Sequence, residues 1–393
     1  MRFIHTADLH LGMEPDKDCS WSKMRGRELW DAFSEVVETC RKEKTDLLLI
    51  AGDLFHKQPL VRELKEAAGF FMSIPGTKVV IIAGNHDYIS GTSGYRNFKW
   101  PENVSFLMSD RIESVYFEDI NTEVYGFSYH TRDIYESCFD GLKPKDPERI
   151  NILLGHGGEP SKVPIDWKQL ERAGFDYVAM GHLHKPTDIS ESIRYSGSLE
   201  PVDLNETGPH GYIAGEIVYA GTESEENGTG DNTADLLFEN GSDYNTTEIL
   251  TDSVVKTTEK AEKILYTTRV EHAKREYIKA DIQVGVEDTY GSLRKKIKAL
   301  IDERGDLNIY VLRLLGEYDP QISFDMDGLS DLGFIVRIID ETVPKLDIDL
   351  LYRANAGNVI GMFIERMKDQ DETERALYYG IMALTGNSPQ NYY

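Results

Sequence analysis

Five short apolar runs in the first half of the chain end in side chains that can hold a divalent cation. "FIHTADLH" closes on Asp8 and His10, "DLLLIAGD" on Asp53, and "KVVIIAGNHD" on Asn85, His86 and Asp87. "INILLGH" closes on His156, and "FDYVAMGHLH" on His182 and His184. Carboxylate, imidazole and carboxamide oxygen without thiolate suit Mn2+, Fe2+, Zn2+ or similar ions. Asp8, His10, Asp53, Asn85, His156, His182 and His184 are too many for one ion. They suffice for two ions about 3.5–4 Å apart that share a carboxylate. Such a pair lowers the pKa of a bridging water, holds a phosphoryl oxygen and stabilises charge during in-line displacement. His86 stands beside them, and His56 follows Asp53 by three residues in "GDLFH". A lone histidine is more often a hydrogen-bonded core or surface residue. Five clusters at the ends of five runs are not lone residues.

These side chains meet only if the runs are strands whose ends lie together. Runs of this length, apolar on both faces, suit strands buried between helical layers. Leu29, Phe33, Val36, Val37 and Cys40 recur at helical spacing between the first two runs, with Arg41, Lys42 and Lys44 closing that helix. A second helix is predicted over about Arg62–Ser73. Strands alternating with helices imply parallel βαβ units with right-handed crossovers. Ligands gather beyond the carboxyl ends of such strands, where all five clusters sit, so they are predicted to converge on one rim. Gly52, Gly84, Gly155 and Gly181 each precede a candidate ligand, where the chain must turn off the strand and pass close to the ions.

In this order D-x-H, G-D, G-N-H-D, G-H and G-H-x-H resemble the calcineurin-like metallophosphoesterase superfamily, over roughly residues 1 to 200. The resemblance implies an α/β (α+β) fold, a two-sheet β sandwich flanked by helices. It implies one ion held by Asp8, His10, Asp53 and His184, and another held by Asp53, Asn85, His156 and His182. His86 would then stabilise or protonate the leaving oxygen, with Asp87 orienting its ring. "IHTADLHLG", "GDLFH" and "YSGSLEPVD" are similar to the nuclease subunit of double-strand-break repair complexes, the SbcD-type exonucleases. "GSLEPVDLNETGPHGYIAGEI" with a short C-terminal part most resembles the YhaO-like bacterial exonucleases. In that family a histidine at the place of His56 reaches the scissile phosphate. Without the family, His56 reads more readily as a loop histidine before Lys57-Gln58-Pro59, its ring in solvent. The resemblance also implies manganese as the active ion, exonuclease activity on DNA in repair, an ABC-type coiled-coil ATPase partner and a homodimer.

Two other readings compete. The same metal grammar serves phosphatases and cyclic nucleotide phosphodiesterases, against which "GDLFH" and the extra sequence after residue 270 weigh. A scaffold that recruits the ATPase through a structural metal site would tolerate decay of the site, and none of its residues is missing. The net charge of −25 argues against nucleic-acid binding by a broad basic surface. Ten Asp or Glu and no Lys or Arg lie in residues 216–252, which read as a solvated acidic loop over about 219–252. Cys19, Cys40 and Cys138 form no CxxC pair, and no apolar run is long enough for a membrane span or a secretory signal. A reducing, cytoplasmic setting is the expectation.

The second half reads as two further segments beyond a phosphoesterase domain of residues 1–268. Over 270–345, "YIKADIQVGV", "TYGSLRKKIKALIDERG", "NIYVLRLLGEY" and "GFIVRIID" predict strand, helix, strand, strand. This βαββ unit resembles the family's capping domain, and Arg294, Lys295, Lys296 and Lys298 are its candidate phosphate-contacting face. An ordinary solvated helix face is the plainer reading. Over 346–393, helices are predicted at about Leu346–Met367 and Glu372–Leu384, separated by "KDQDE". They either dock on the ATPase partner or pack back on this chain.

Overall fold

The apolar runs form strands because alternate side chains enter two different cores. The structure, a computed structural model, describes residues 1–220, 251–257, 262–319, 321–345, 347–367 and 373–385. Most of the expected acidic loop at 219–252, and all of "KDQDE", lie outside the described residues. The chain divides into two compact units, Met1–Lys274 and Arg275–Tyr393. The first runs β1 (Arg2–Thr6), α1 (Ser22–Lys42), β2 (Leu47–Ala51), α2 (Val61–Met72), β3 (Lys78–Ile82) and β4 (Val104–Phe106). It continues through β5 (Glu113–Phe117), β6 (Thr122–Gly126), β7 (Ile150–His156), α3 (Trp167–Glu171), β8 (Tyr177–Gly181), β9 (Thr187–Ser190) and β10 (Ile193–Tyr195). It closes with β11 (Gly211–Tyr219), β12 (Thr251–Thr257) and β13 (Glu262–Glu271).

One sheet has the order β12-β13-β11-β1-β2-β3-β4 and the other β5-β6-β7-β8-β10-β9. The sheets share a core. Leu47, Leu49 and Ala51 of β2 meet Ile152, Leu154 and Ala179 there, while Leu48 and Ile50 pack on the other side with Phe33, Val36 and Leu64. The α1 residues expected to face inward, Leu29, Phe33, Val36, Val37 and Cys40, are all buried. This is the two-sheet sandwich flanked by helices. The β1, β2, β3 and β4 neighbours pair in parallel, as do β6, β7 and β8. The strands that carry the five clusters therefore split three and two between the sheets, rather than lining one sheet. Their carboxyl ends still share a rim.

The second unit holds β14 (Tyr277–Val284), α4 (Tyr290–Arg304), β15 (Ile309–Tyr318), α5 (Met326–Ser330) and β16 (Ile335–Pro344). Both pairs of its sheet, ordered β14-β15-β16, are parallel. The expected βαββ unit is thus corrected to βαβαβ, because parallel β15 and β16 need a crossover and α5 lies in it. The Thr289 hydroxyl caps α4 by accepting from the Ser292 N–H, and Gly305 ends the helix at φ 106°. The basic cluster on α4 is largely committed. Arg294 donates to the Gly328 carbonyl at 2.7 Å, Lys296 pairs with Asp288, and Lys298 pairs with Asp302 at 2.8 Å. Only Lys295 of the four is exposed with no such partner among the described residues.

The long helix expected up to Met367 is two, α6 (Ile348–Asn355) and α7 (Val359–Met367). Asn358 causes the break: its side-chain oxygen accepts from the N–H groups of Ile360 at 2.9 Å and Gly361 at 3.2 Å, starting a new helix. With α8 (Thr373–Thr385) they bury Leu351, Ile360, Ile364, Leu377 and Ile381 in a core of their own, and α8 packs beside β16. Among the described residues no helix is long and apolar enough to cross a membrane.

Candidate metal centre

Beyond the ends of β1 and β2, the two loops keep pairing as though the strands continued. Asp8 N–H donates to the Gly52 carbonyl at 3.2 Å, His10 to Asp53 at 3.1 Å, Leu11 to Leu54 at 3.0 Å, and His56 to Leu11 at 3.1 Å. To turn the side chains inward the backbone enters the left-handed region at Asp8 (φ 52°), His10 (φ 46°), Asp53 (φ 50°) and His182 (φ 97°). Non-glycine residues rarely do so, and such strain clusters at functional sites. Glycines make the approach possible. A methyl at Gly52 would strike the His156 ring, one at Gly84 the Asp53 carboxylate, and one at Gly181 the Ala51 carbonyl.

The side chains gather tightly. Donor atoms of Asp8, Asp53 and His156 lie within 4.8 Å of one another, as do those of Asp8, His10 and His184. His10 Nε2 is 2.9 Å from His184 Nε2 and 3.9 Å from Asp53 Oδ2. His156 Nε2 is 3.0 Å from Asn85 Oδ1 and 3.4 Å from Asp53 Oδ2. His156 donates its Nδ1–H to the Ala51 carbonyl at 2.9 Å, which leaves Nε2 facing the cluster. Both Asp8 oxygens accept from the His182 N–H, at 3.1 and 2.9 Å, and the His182 ring turns its Nε2 to Glu159 Oε2 at 3.2 Å.

Charge in this cluster is unbalanced. Burial pushes the Asp8 carboxyl up to about 6, against the pull of His156 and His184 and with the push of Asp53. Burial acts on Asp53 too, but His156 and His10 hold it well below the usual carboxylate range. His156 is raised to about 9 by Asp53 and Asp8 in spite of its burial, and His184 to about 9 by Glu206 and Asp8 in spite of its own. Burial drives His10 well down. The His156 and His184 rings thus hold protons where imidazole and carboxylate lone pairs converge on Asp8 and Asp53. Divalent cations replace such protons on binding, so the donor set fits them.

His86 and His56 form a second layer. His86 donates its backbone N–H to Asp53 Oδ1 at 2.8 Å, and its ring Nδ1 lies 3.1 Å from the His56 carbonyl oxygen. The two rings stack, with centroids 5.3 Å apart and planes at 30°, and His10 is 5.5 Å from His56. The His56 ring is half-buried, with one face against His86. Burial and His86 lower it to about 4. The expected role of Asp87 is corrected. Its Oδ1 accepts from the Gly84 N–H at 2.8 Å and its Oδ2 from the Phe55 N–H at 3.2 Å and the Tyr95 hydroxyl at 2.7 Å. Asp87 ties the two loops together, and the His56 carbonyl orients the His86 ring. Glu206, whose Oε1 is 2.6 Å from His184 Nδ1, and Glu159 were not foreseen. Glu206 sits inside the quoted "GSLEPVDLNETGPHGY" stretch, yet a contact across 22 residues leaves no periodic mark.

The donor set at the strand ends suits divalent cations, and the calcineurin-like phosphoesterase family matches residues 1–186, which carry a calcineurin-like metallophosphoesterase domain. The relatives found are of that kind. The chain is 28% identical over 236 residues to an uncharacterized metallophosphoesterase, YhaO, of Bacillus subtilis, covering 54% of this chain and 56% of that one. It is 27% identical over 255 residues to SbcD of the SbcCD nuclease of Staphylococcus epidermidis, covering 52% and 63%. It is 29% identical over 224 residues to the DNA double-strand break repair protein Mre11 of Methanocaldococcus jannaschii, covering 52% and 58%. The chain thus spans less than two thirds of the length of each.

Proposed function

We propose that this chain is a two-metal phosphodiesterase that digests DNA from an end, the nuclease subunit of a cytoplasmic repair complex with an ABC-type ATPase. The observation that carries it is the His56–His86 stack at the lip of the Asp8, Asp53 and His156 group, which supplies substrate-facing imidazoles beside the cation pocket. Asp8, His10, Asp53 and His184 would hold one divalent ion, and Asp53, Asn85, His156 and His182 the other, with manganese as the leading candidate. Bound ions supply an activated water and polarise the phosphoryl oxygens. Asp53 would serve both ions, and its Oδ1 accepts from the His86 backbone N–H. With Nδ1–H held on the His56 carbonyl, His86 would turn Nε2 to the site and, when the ring carries its second proton there, give that proton to the leaving oxygen, reverting to the neutral Nδ1–H ring. The His56 ring positions the phosphodiester backbone. A homodimer belongs to the same reading.

The test offers the protein, with Mn2+, a labelled linear duplex, a cyclic nucleotide and a phosphomonoester. Cleavage of the duplex is expected. Asp53→Ala should lose bound metal and all activity, whereas His56→Ala should keep both ions and lose at least ~100-fold in DNA cleavage. Hydrolysis of the small substrates alone would replace the nuclease reading by a phosphatase or cyclic nucleotide phosphodiesterase. The acidic charge and the committed cations of α4 favour that second reading.

A further inference from the structure

The segment Ser196–His210 runs behind His184, and its polar groups form a directed chain. Glu206 Oε1 is 2.6 Å from His184 Nδ1, while Oε2 accepts from the Val202 N–H at 2.8 Å and the Ser198 hydroxyl at 3.3 Å. Ser198 N–H donates to the His184 carbonyl at 2.8 Å. His210 Nδ1 lies 3.1 Å from the Ser198 carbonyl and 2.9 Å from its hydroxyl. A carbonyl only accepts, so His210 Nδ1 carries the proton, and the serine hydroxyl beside it donates to Glu206 Oε2 at 3.3 Å, nearer than its other acceptor, the His184 carbonyl at 3.5 Å. Val202 and Ser198 thus aim donors at Glu206, and His210 aims one at the serine. The carboxylate has one role left toward His184, to accept its Nδ1–H.

The consequence reaches the cation pocket. With the proton pinned on Nδ1, Nε2 is the only atom His184 offers, and it faces His10 Nε2 at 2.9 Å. The support is built rather than incidental: Ser198 and His210 are 0% and 1% exposed, and the Glu206 side chain is 10% exposed. The other imidazole of the G-H-x-H motif is served differently. His182 Nε2 meets Glu159 Oε2 at 3.2 Å, but the Glu159 side chain is 56% exposed and shares its charge with water.

We propose that Glu206 is a positioning residue for one of the two ions: it fixes the tautomer and orientation of His184 and places a negative charge behind the ring. This rests on the two-metal reading above. A buried carboxylate behind a ligating imidazole typically governs metal affinity by about 10–100-fold. The two ions should therefore differ in their dependence on their backing acids, the His184 ion strongly dependent and the His182 ion hardly so.

The experiment is an Mn2+ titration of the full chain, followed by the free-Mn2+ paramagnetic signal, on wild type, Glu206→Ala, Glu206→Gln, Glu159→Ala and His184→Ala. Wild type is expected to bind two ions. Glu206→Ala should weaken one of them about 10–100-fold and leave the other unchanged, and Glu159→Ala should stay within about threefold of wild type. Glu206→Gln fills the same volume but has one acceptor oxygen for the work of two, and should fall between. Unfolding midpoints in chelator identify which variants fold. If Glu206→Ala does not fold, the glutamine variant decides. Two ions held with wild-type affinity by the deciding variant would overturn the role of Glu206 and leave the two-metal reading standing. A wild type that binds no Mn2+, or a His184→Ala protein that binds it as wild type does, would overturn the two-metal reading itself.

Discussion

At single residues, the chemistry of the centre turns on which ring nitrogen keeps its proton. Backbone carbonyls settle it for two rings: Ala51 takes Nδ1–H of His156 and His56 takes that of His86, so both rings turn Nε2 to the pocket. His5, one strand residue away from the loop, shows the opposite use of an imidazole. It is fully buried in β1 with Nδ1 2.9 Å from the Tyr177 hydroxyl, and burial lowers it to about 3, with Met180 opposing and Arg269 assisting. The native ring therefore stays neutral where the unfolded one, near 6.5, takes up a proton. Its contribution to stability is complete above about pH 6.5 and is lost as pH falls from there toward 3, with a limiting slope of about 1.4 kcal/mol per pH unit. Urea midpoints of metal-free protein between pH 7 and pH 4 should fall more steeply for wild type than for His5→Gln. Parallel curves would mean that His5 is not the proton acceptor. The residue types of the pocket were legible because carboxylate, imidazole and amide recur after apolar runs. The partners were not: a carbonyl such as that of Ala51 has no signature, and the Asp87 carboxylate spends its bonds on Gly84, Phe55 and Tyr95.

Elements were legible where one periodicity decided them. The stripe of α1 and the β-branched runs of β1, β2 and β3 forecast which residues are buried. What periodicity could not tell is which sheet a strand joins, because β2 and β7 are apolar on both faces whichever neighbour they have. Nor could it see the break at Asn358, which depends on a side-chain oxygen capping α7 rather than on any lapse in the apolar pattern. Strand ends carry the sharper prediction. A methyl on Gly84 would overlap Asp53, with its backbone nitrogen 2.6 Å and its Cγ 2.7 Å away, so the β2 loop must shift. Gly84→Ala should cost about 1–3 kcal/mol and abolish binding of at least one ion, measured by unfolding and by metal titration. Gly69, exposed in the middle of α2 with nothing within 4 Å of an added methyl, is the control. Gly69→Ala should stabilise by about 0.5–1 kcal/mol, since alanine loses less entropy in a helix. A Gly84→Ala protein that keeps full metal affinity would show that the β2 and β3 loops are not packed as closely as their glycines require.

For the whole molecule the outstanding question is how a chain of net charge −25 would hold a polyanion. Duplex binding releases condensed counterions, and the logarithm of affinity falls with the logarithm of salt by about 0.9 per phosphate neutralised. Most of the cations of α4, and Arg313 of β15, are already engaged. Arg294, Lys296 and Lys298 are held by Gly328, Asp288 and Asp302, and Arg313 lies 2.7 Å from Asp281. Each of these would have to leave an existing partner to reach a phosphate, whereas Lys295 would not. On the proposed nuclease reading, grip on DNA would then fall mainly to the cation pocket, around a single phosphate and its neighbours. The isolated chain should accordingly bind a linear duplex weakly and with a shallow salt dependence, a slope of about 2–3 in magnitude, corresponding to two or three phosphates. Fluorescence anisotropy of an end-labelled duplex against His86→Ala protein, across a series of salt concentrations, measures it without digestion. A slope of about 5 or more would mean that a basic surface does the binding. Lys295→Glu should lower the slope by about one if α4 faces the DNA, and leave it unchanged if the pocket alone engages the strand end.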